Sequence, residues 1–295
     1  MIPVLLGISF VVFGMIRAAP GGPFDTARAA VSEEARDALR ARYHLDEPVW
    51  KQYGRFLAQL VKGDLGPSLK YRHHTVNDVL SQALPVSMML GVMAFLFALA
   101  LGIPLGVAAA VGRGRASGWL AESAILLCIS IPALLLGPLL VLVFAVGLGW
   151  FPVGLWNSPW HAVLPVATLG IFFAGRVARL MREGMMDAFG SSFVTAARAR
   201  GVGEGSLIWR HALPIGATPV VSYAGPLLAD LLTGSFVVEN VFQIPGIGVF
   251  MVNSALNRDY TMVVGLVLVY AVLLLMLNLV VDVAYTVLDP KVRHG

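Results

Sequence analysis

The chain is 295 residues long, 58% hydrophobic and 13% charged, with a mean hydropathy of +0.79, whereas soluble domains carry roughly 25% charge. One core in a chain of this size cannot hide so much apolar side chain from water, while a bilayer accepts it readily, so a soluble enzyme or soluble binding module is excluded. The net charge of +4 does not point to nucleic acid, because Lys and Arg lie between hydrophobic runs rather than in one patch.

Residues 2–16 are almost wholly apolar with no basic segment before them. They read as an uncleaved first helix rather than a secretory signal, despite the small pair Ala18-Ala19. At 1.5 Å per residue the stretch spans about 22 Å against roughly 30 Å of hydrocarbon, so further sequence ahead of Met1 is expected. Residues 18–83 follow, with nine Lys or Arg against eight Asp or Glu, too long a segment for charge to set its side of the membrane. Ser32 is placed to cap a helix with Glu33 and Glu34 in its first turn and Ala35, Leu39 and Tyr43 along one face. A second helix is expected from Pro48, bearing Val49, Tyr53, Phe56, Leu57 and Leu60 and stopping at Gly63. The two make a small helical cap. His73 and His74 are adjacent, and neighbours on a helix point apart, so no metal site is expected.

Five more apolar segments run at about 84–111, 120–148, 161–182, 213–237 and 261–288, each long enough to cross a bilayer. The expectation is an all-α integral membrane protein with about six transmembrane helices. Its parts are a first helix at 1–17, the cap at 18–83, a five-helix core at 84–288 and a tail at 289–295. Arg113, Arg115, Arg176, Arg179, Arg182, Arg198, Arg200, Arg210, Lys291 and Arg293 gather on one side, while the loop 149–160 has no Lys or Arg and 238–260 has only Arg258. Short basic loops stay cytoplasmic, so both termini are expected inside and the cap outside. Gly102, Pro104, Gly106, Pro132, Pro138 and Gly234 sit within the apolar runs. Breakers at membrane depth mark packed or cavity-lining helices, because neighbours must satisfy the freed backbone groups. Cys128, the single cysteine, permits no internal disulfide.

The connection 184–212 is too polar to insert and too patterned to be slack. A helix carries Phe193, Val194 and Ala197, the glycines Gly201, Gly203 and Gly205 interrupt it, and a second helix is expected from the N-cap Ser206 through Leu207 and Ile208 to Pro214. Two readings fit this pattern: a docking element for a cytoplasmic partner, or an interfacial helix resting its Arg residues on lipid head groups.

Ala196-Ala197-x-x-x-Gly201 followed by Leu213-Pro214 resembles the EAA loop of importer permeases of the ATP-binding-cassette superfamily. The family's Glu is Thr195 here and its later Ile is His211. The runs at 198–201 and 210–213 match the peptide-transport branch, and so do A-P-G-G-P-F at 19–24, Y-H-L-D-E-P at 43–48, G-D-L-G-P-S at 63–68, P-G-I-G at 245–248, A-L-N-R-D-Y at 255–260 and D-P-K-V-R at 289–293. Together they resemble the B-type subunit of oligopeptide permeases.

The resemblance implies a pore-forming subunit of a bacterial inner-membrane importer for peptides. It would pair with a homologous second permease, bind two cytoplasmic ATPases that carry ATP and magnesium, and receive peptide from an extracytoplasmic binding protein. Ala196, Ala197, Arg198, Arg200, Gly201 and Glu204 would then form the ATPase-coupling loop. Asp230, Gly234, Glu239, Asn240, Pro245 and Gly246 are candidates for the translocation path or an outer gate. For Asp230 a structural hydrogen bond to a neighbouring helix or partner subunit fits as well, and for P-G-I-G a plain tight turn. Glu122 is expected to pair with Arg113 or Arg115.

No catalytic, cofactor or metal site is expected on this chain. It has no G-x-x-x-x-G-K-[ST], H-E-x-x-H or G-x-S-x-G. An ion-driven secondary transporter working without an ATPase is the alternative; inverted repeats and paired intramembrane charges would mark it, and neither stands out.

Overall fold

The structure, a computed structural model, describes residues 2–18, 46–71, 74–233 and 236–288. The first expected cap helix at 32–43, His73, Gly234 and the tail 289–295 lie outside the described residues. The elements are α1 (Ile2–Ala18), α2 (Val49–Val61), α3 (Val76–Val111), α4 (Ala116–Ser130), α5 (Ala133–Leu140, continued by a π-helical run Val141–Gly147), α6 (Pro159–Gly190), α7 (Ser192–Ala199), α8 (residues 204–216, π-wound over Leu207–Ala212), α9 (Thr218–Leu232), α10 (Phe236–Val241), α11 (Ile247–Leu256) and α12 (Tyr260–Leu288). Among the described residues the only β pairing is one isolated bridge, Pro67 with Thr75.

Val76–Val111, Pro159–Gly190, Thr218–Val241 and Tyr260–Val281 are long and apolar enough to cross a membrane. A fifth span is present if α4 and α5 count as one, bent by 104°. The expected single helix over 120–148 is therefore broken. Pro132 has no N–H to continue α4 and pushes Ile131 into extended backbone at φ −87°, ψ 116°. α1 has 17 residues and is about 25 Å long, so the described residues hold four to five full-length apolar helices rather than six. α3 starts at 76 instead of 84 because Thr75 and Asp78 cap each other: the Thr75 N–H donates to the Asp78 carboxylate at 2.9 Å, and the Asp78 N–H donates to Thr75 Oγ1 at 3.1 Å.

The chain divides into two compact units, Met1–Val86 with Pro245–Met276, and Ser87–Ile244 with Leu277–Gly295. In the first, Leu65, Val76, Leu80, Ile247, Met262 and Leu266 form one apolar cluster, and Phe56 packs with Val264 and Leu268 in another. α2 lies on α1 through Phe13, which meets the rings of Tyr53 and Phe56, and through a 2.8 Å hydrogen bond between Ser9 Oγ and Tyr53 Oη.

The polar centre of this unit is Asp259, 0% exposed. It accepts from Ser68 Oγ at 2.5 Å and from the N–H groups of Leu69 at 3.1 Å, Lys70 at 3.2 Å and Met262 at 3.2 Å. One carboxylate thus caps α12 and holds the 63–70 loop against its start. Burial, with the neighbouring Asp259 charge, pushes the Tyr71 phenol above its ordinary pKa.

In the second unit α3 and α6 touch through glycine. A Cβ on Gly102 would stand 2.6 Å from the Ala174 carbonyl oxygen, and one on Gly106 would stand 2.4 Å from that of Ala178. Only residues without a Cβ permit such an approach, which bears out the expectation that these breakers mark packed helices. Glu122 pairs with Arg182, whose Nε donates at 2.9 Å, rather than with Arg113 or Arg115. Arg182 lies 60 residues away in sequence; Arg113 instead donates to the Met186 sulfur at 3.9 Å.

Candidate functional site

Residues 191–216 form a helical hairpin. Ser191 starts α7, its Oγ accepting from the Val194 N–H at 3.3 Å. α7 ends in a Schellman motif: the Val202 N–H donates to the Ala197 carbonyl at 3.3 Å and the Gly201 N–H to that of Arg198 at 3.0 Å. This places Gly201 at φ +80°, a conformation glycine adopts without the penalty a Cβ incurs. The second helix begins earlier than expected. Gly203, not Ser206, is the residue before its first turn, and its carbonyl accepts from the Leu207 N–H at 2.9 Å. The winding then widens to π over Leu207–Ala212, immediately before Pro214, which has no N–H for the α ladder and crowds the carbonyl four residues back.

Val194 and Ala197 of α7 and Leu207 and Ala212 of α8 are fully buried. Ala196, Arg198, Arg200, Gly201 and Glu204 are exposed, together with Phe193 and with Trp209 at 61%. Arg198 Nε reaches Glu204 at 3.1 Å across the glycine corner, and Phe193 packs on the His211 ring at 5.8 Å. Of the six expected loop residues five are exposed, and Ala197 is buried.

The hairpin is fixed to α6 at one very close contact. A Cβ on Gly184 would stand 2.1 Å from the Gly216 carbonyl oxygen, and one on Gly216 would stand 3.0 Å from the Met185 backbone. At this point α8 and α6 meet backbone to backbone, with almost no intervening side chain.

The path and gate candidates separate. Asp230 is exposed on α9; its carbonyl accepts from Thr233 Oγ1 at 2.7 Å, and among the described residues its carboxylate meets no donor. Gly234 is outside the described residues. Glu239 is 0% exposed in α10 and its carbonyl accepts from the Ile244 N–H at 2.9 Å, while Asn240 is exposed. Pro245 and Gly246 belong to the other unit, exposed and buried respectively. Beside α10 the loop 149–158 is pinned where the Leu155 N–H donates to the Phe242 carbonyl at 2.8 Å. Leu155 and Gln243 take φ of +76° and +52°, and they line a cavity of 410 Å³ with Gly154, His161 and Phe242. Among the described residues no group of three or more His, Cys, Asp or Glu is placed to hold a metal.

Residues 102–294 match the family of binding-protein-dependent transport system inner membrane components. The chain is 40% identical over 295 residues to the oligopeptide transport system permease protein OppB of Haemophilus influenzae, covering 99% of this chain and 96% of that one. It is 39% identical over 289 residues to the dipeptide transport system permease protein DppB of Bacillus subtilis, covering 98% and 94%. The chain belongs to this permease family.

As an inner-membrane permease it has the expected class of fold. Inward-facing structures of the MetNI methionine ABC transporter share that fold at a TM-score of 0.61, with 16% identity over 72% of this chain and 96% of theirs. A crystal structure of an amino acid ABC transporter follows at 0.56, with 18% identity over 70% and 92%. The hairpin and α6 both fall inside the matched family region. The Asp259 clamp, the Gly184–Gly216 contact and the Leu155–Phe242 bond were not singled out by pattern, because each joins residues far apart in the chain.

Proposed function

We propose that this permease forms one half of a heterodimeric pore for the ATP-driven import of peptides, oligopeptides first, across the bacterial inner membrane. A homologous permease supplies the other half. Two cytoplasmic ATPases hold ATP and magnesium, and an extracytoplasmic binding protein delivers the cargo. The observation that carries the reading is full-length similarity to OppB, 40% over 295 residues.

In this reading both termini and the 191–216 hairpin face the cytoplasm and the segment 18–83 faces outward. Closure of the ATPases on ATP pushes the exposed corner at Ala196, Arg198, Arg200, Gly201 and Glu204. The apolar seam of Val194, Ala197, Leu207 and Ala212 makes the hairpin move as one body. The Gly184–Gly216 contact passes that movement to α6, so two arrangements of the ATPases bias two arrangements of the pore. Outer-gate movements fall to Glu239, Asn240, Gly234 and the Pro245-Gly246 turn.

Uptake of a labelled oligopeptide by proteoliposomes holding the four-subunit complex tests this. Uptake is expected only with ATP inside the coupling compartment and the binding protein on the other side. Uptake driven by an ion gradient without ATP would contradict it.

A further inference from the structure

The exposed surfaces of the permease's helices differ in kind. On α4 and α5 the exposed side chains include Trp119, Leu120, Leu126, Leu127, Leu134 and Leu135, a surface suited to lipid. On α9 they are Thr218, Val221, Ser222, Pro226 and Asp230, while Val220, Leu227, Ala229, Leu231 and Leu232 face inward. A carboxylate turned to hydrocarbon is strongly disfavoured, so this face of α9 meets water or protein in the assembled transporter. The chain offers it no cation nearby in sequence, since no Lys or Arg occurs between Arg210 and Arg258. Among the described residues nothing donates to it in space.

We propose that the Asp230 carboxylate lines the translocation path and receives the α-ammonium group of the passing peptide, an assignment that rests on the peptide-import reading above. The α-ammonium is the one cation shared by peptides with free amino termini, whatever their side chains. Carrying it through a low-dielectric constriction is costly unless an opposite charge meets it, and a charge-assisted ammonium–carboxylate hydrogen bond supplies that. The neighbouring exposed positions, Ser222 and Pro226, are small, which leaves room for a peptide backbone beside the carboxylate.

The test uses the complete complex in proteoliposomes with Asp230→Asn, Asp230→Glu and Asp230→Cys. The last is made with Cys128→Ser, which removes the chain's single native cysteine, and with cysteine-free partners. Asp230→Asn is expected to assemble and hydrolyse ATP like the native chain but to take up peptide roughly tenfold to a hundredfold more slowly, the loss of one charge-assisted hydrogen bond. Asp230→Glu should keep most of the uptake. Asp230→Cys should react with a water-soluble methanethiosulfonate in the assembled complex. A sulfonate-bearing adduct should restore uptake, and a trimethylammonium-bearing one should not.

Native uptake by Asp230→Asn overturns the proposal, as does an unreactive Asp230→Cys, or equal uptake with the two adducts. Loss of the second permease from Asp230→Asn also overturns it, placing the carboxylate in the subunit interface instead. A native complex that moves no peptide with ATP brings down the importer reading itself, a result separate from any of these.

Discussion

Gly201 is needed for its backbone rather than for space. A Cβ there would meet nothing within 4 Å, but at φ +80° a side chain costs about 1–2 kcal/mol. Gly201→Val should therefore loosen the hairpin corner more than Gly201→Asn, because Asn tolerates left-handed backbone. Amide hydrogen exchange across 196–206 would read the difference, and equal protection in the two variants would refute the Schellman assignment. Asp259 acts at the same scale. Asp259→Ala strands the Ser68 hydroxyl and the Leu69 and Met262 N–H groups and leaves the Lys70 N–H only Ser68 Oγ, each lost partner costing about 1–3 kcal/mol when buried. Proteolysis of the 64–75 loop should become much faster than in the native chain. By contrast Glu122→Gln should hardly change stability, because the Glu122–Arg182 pair is about one-third exposed, at 38% and 32%, and such pairs contribute about 0–1 kcal/mol.

Between elements, the proposed coupling route runs through the close approach of Gly184 to Gly216. Gly184→Val should force α8 off α6, leaving ATP hydrolysis in the assembled complex but reducing peptide uptake; uptake at the native rate would show that force travels by another route. What sequence reveals at this scale follows from how local each cause is. The α2 boundaries follow from Pro48 and Gly63, and the glycine positions on α3 announce its packing. Pro132 is equally visible, but whether it yields a mild kink or a 104° turn depends on what packs around it. The Thr75–Asp78 cap is a local signal hidden by the polar residues around it, so α3 begins a full two turns ahead of its apolar stretch. The Asp259 clamp spans 191 residues to Ser68. The G-D-L-G-P-S and A-L-N-R-D-Y runs mark both its ends, yet nothing in either shows that they meet.

At the scale of the whole molecule, hydropathy alone establishes a membrane protein, and motifs spread along the chain place it in its family, which the matched region 102–294 bears out. The candidate site is only half legible from sequence: five of the six expected coupling residues are exposed around one corner because they are neighbours along the chain, whereas the expected path and gate residues scatter over α9, α10 and a separate unit. The central claim is that the 191–216 hairpin docks a cytoplasmic ATPase. The most direct measurement is purification of the intact complex in mild detergent from native and Gly201→Trp cells, with identification of the subunits that accompany the permease. An ATPase and a second permease should accompany the native chain, and the ATPase alone should be lost from Gly201→Trp. A native chain that purifies alone, or a Gly201→Trp chain that retains its ATPase in full, would contradict the account.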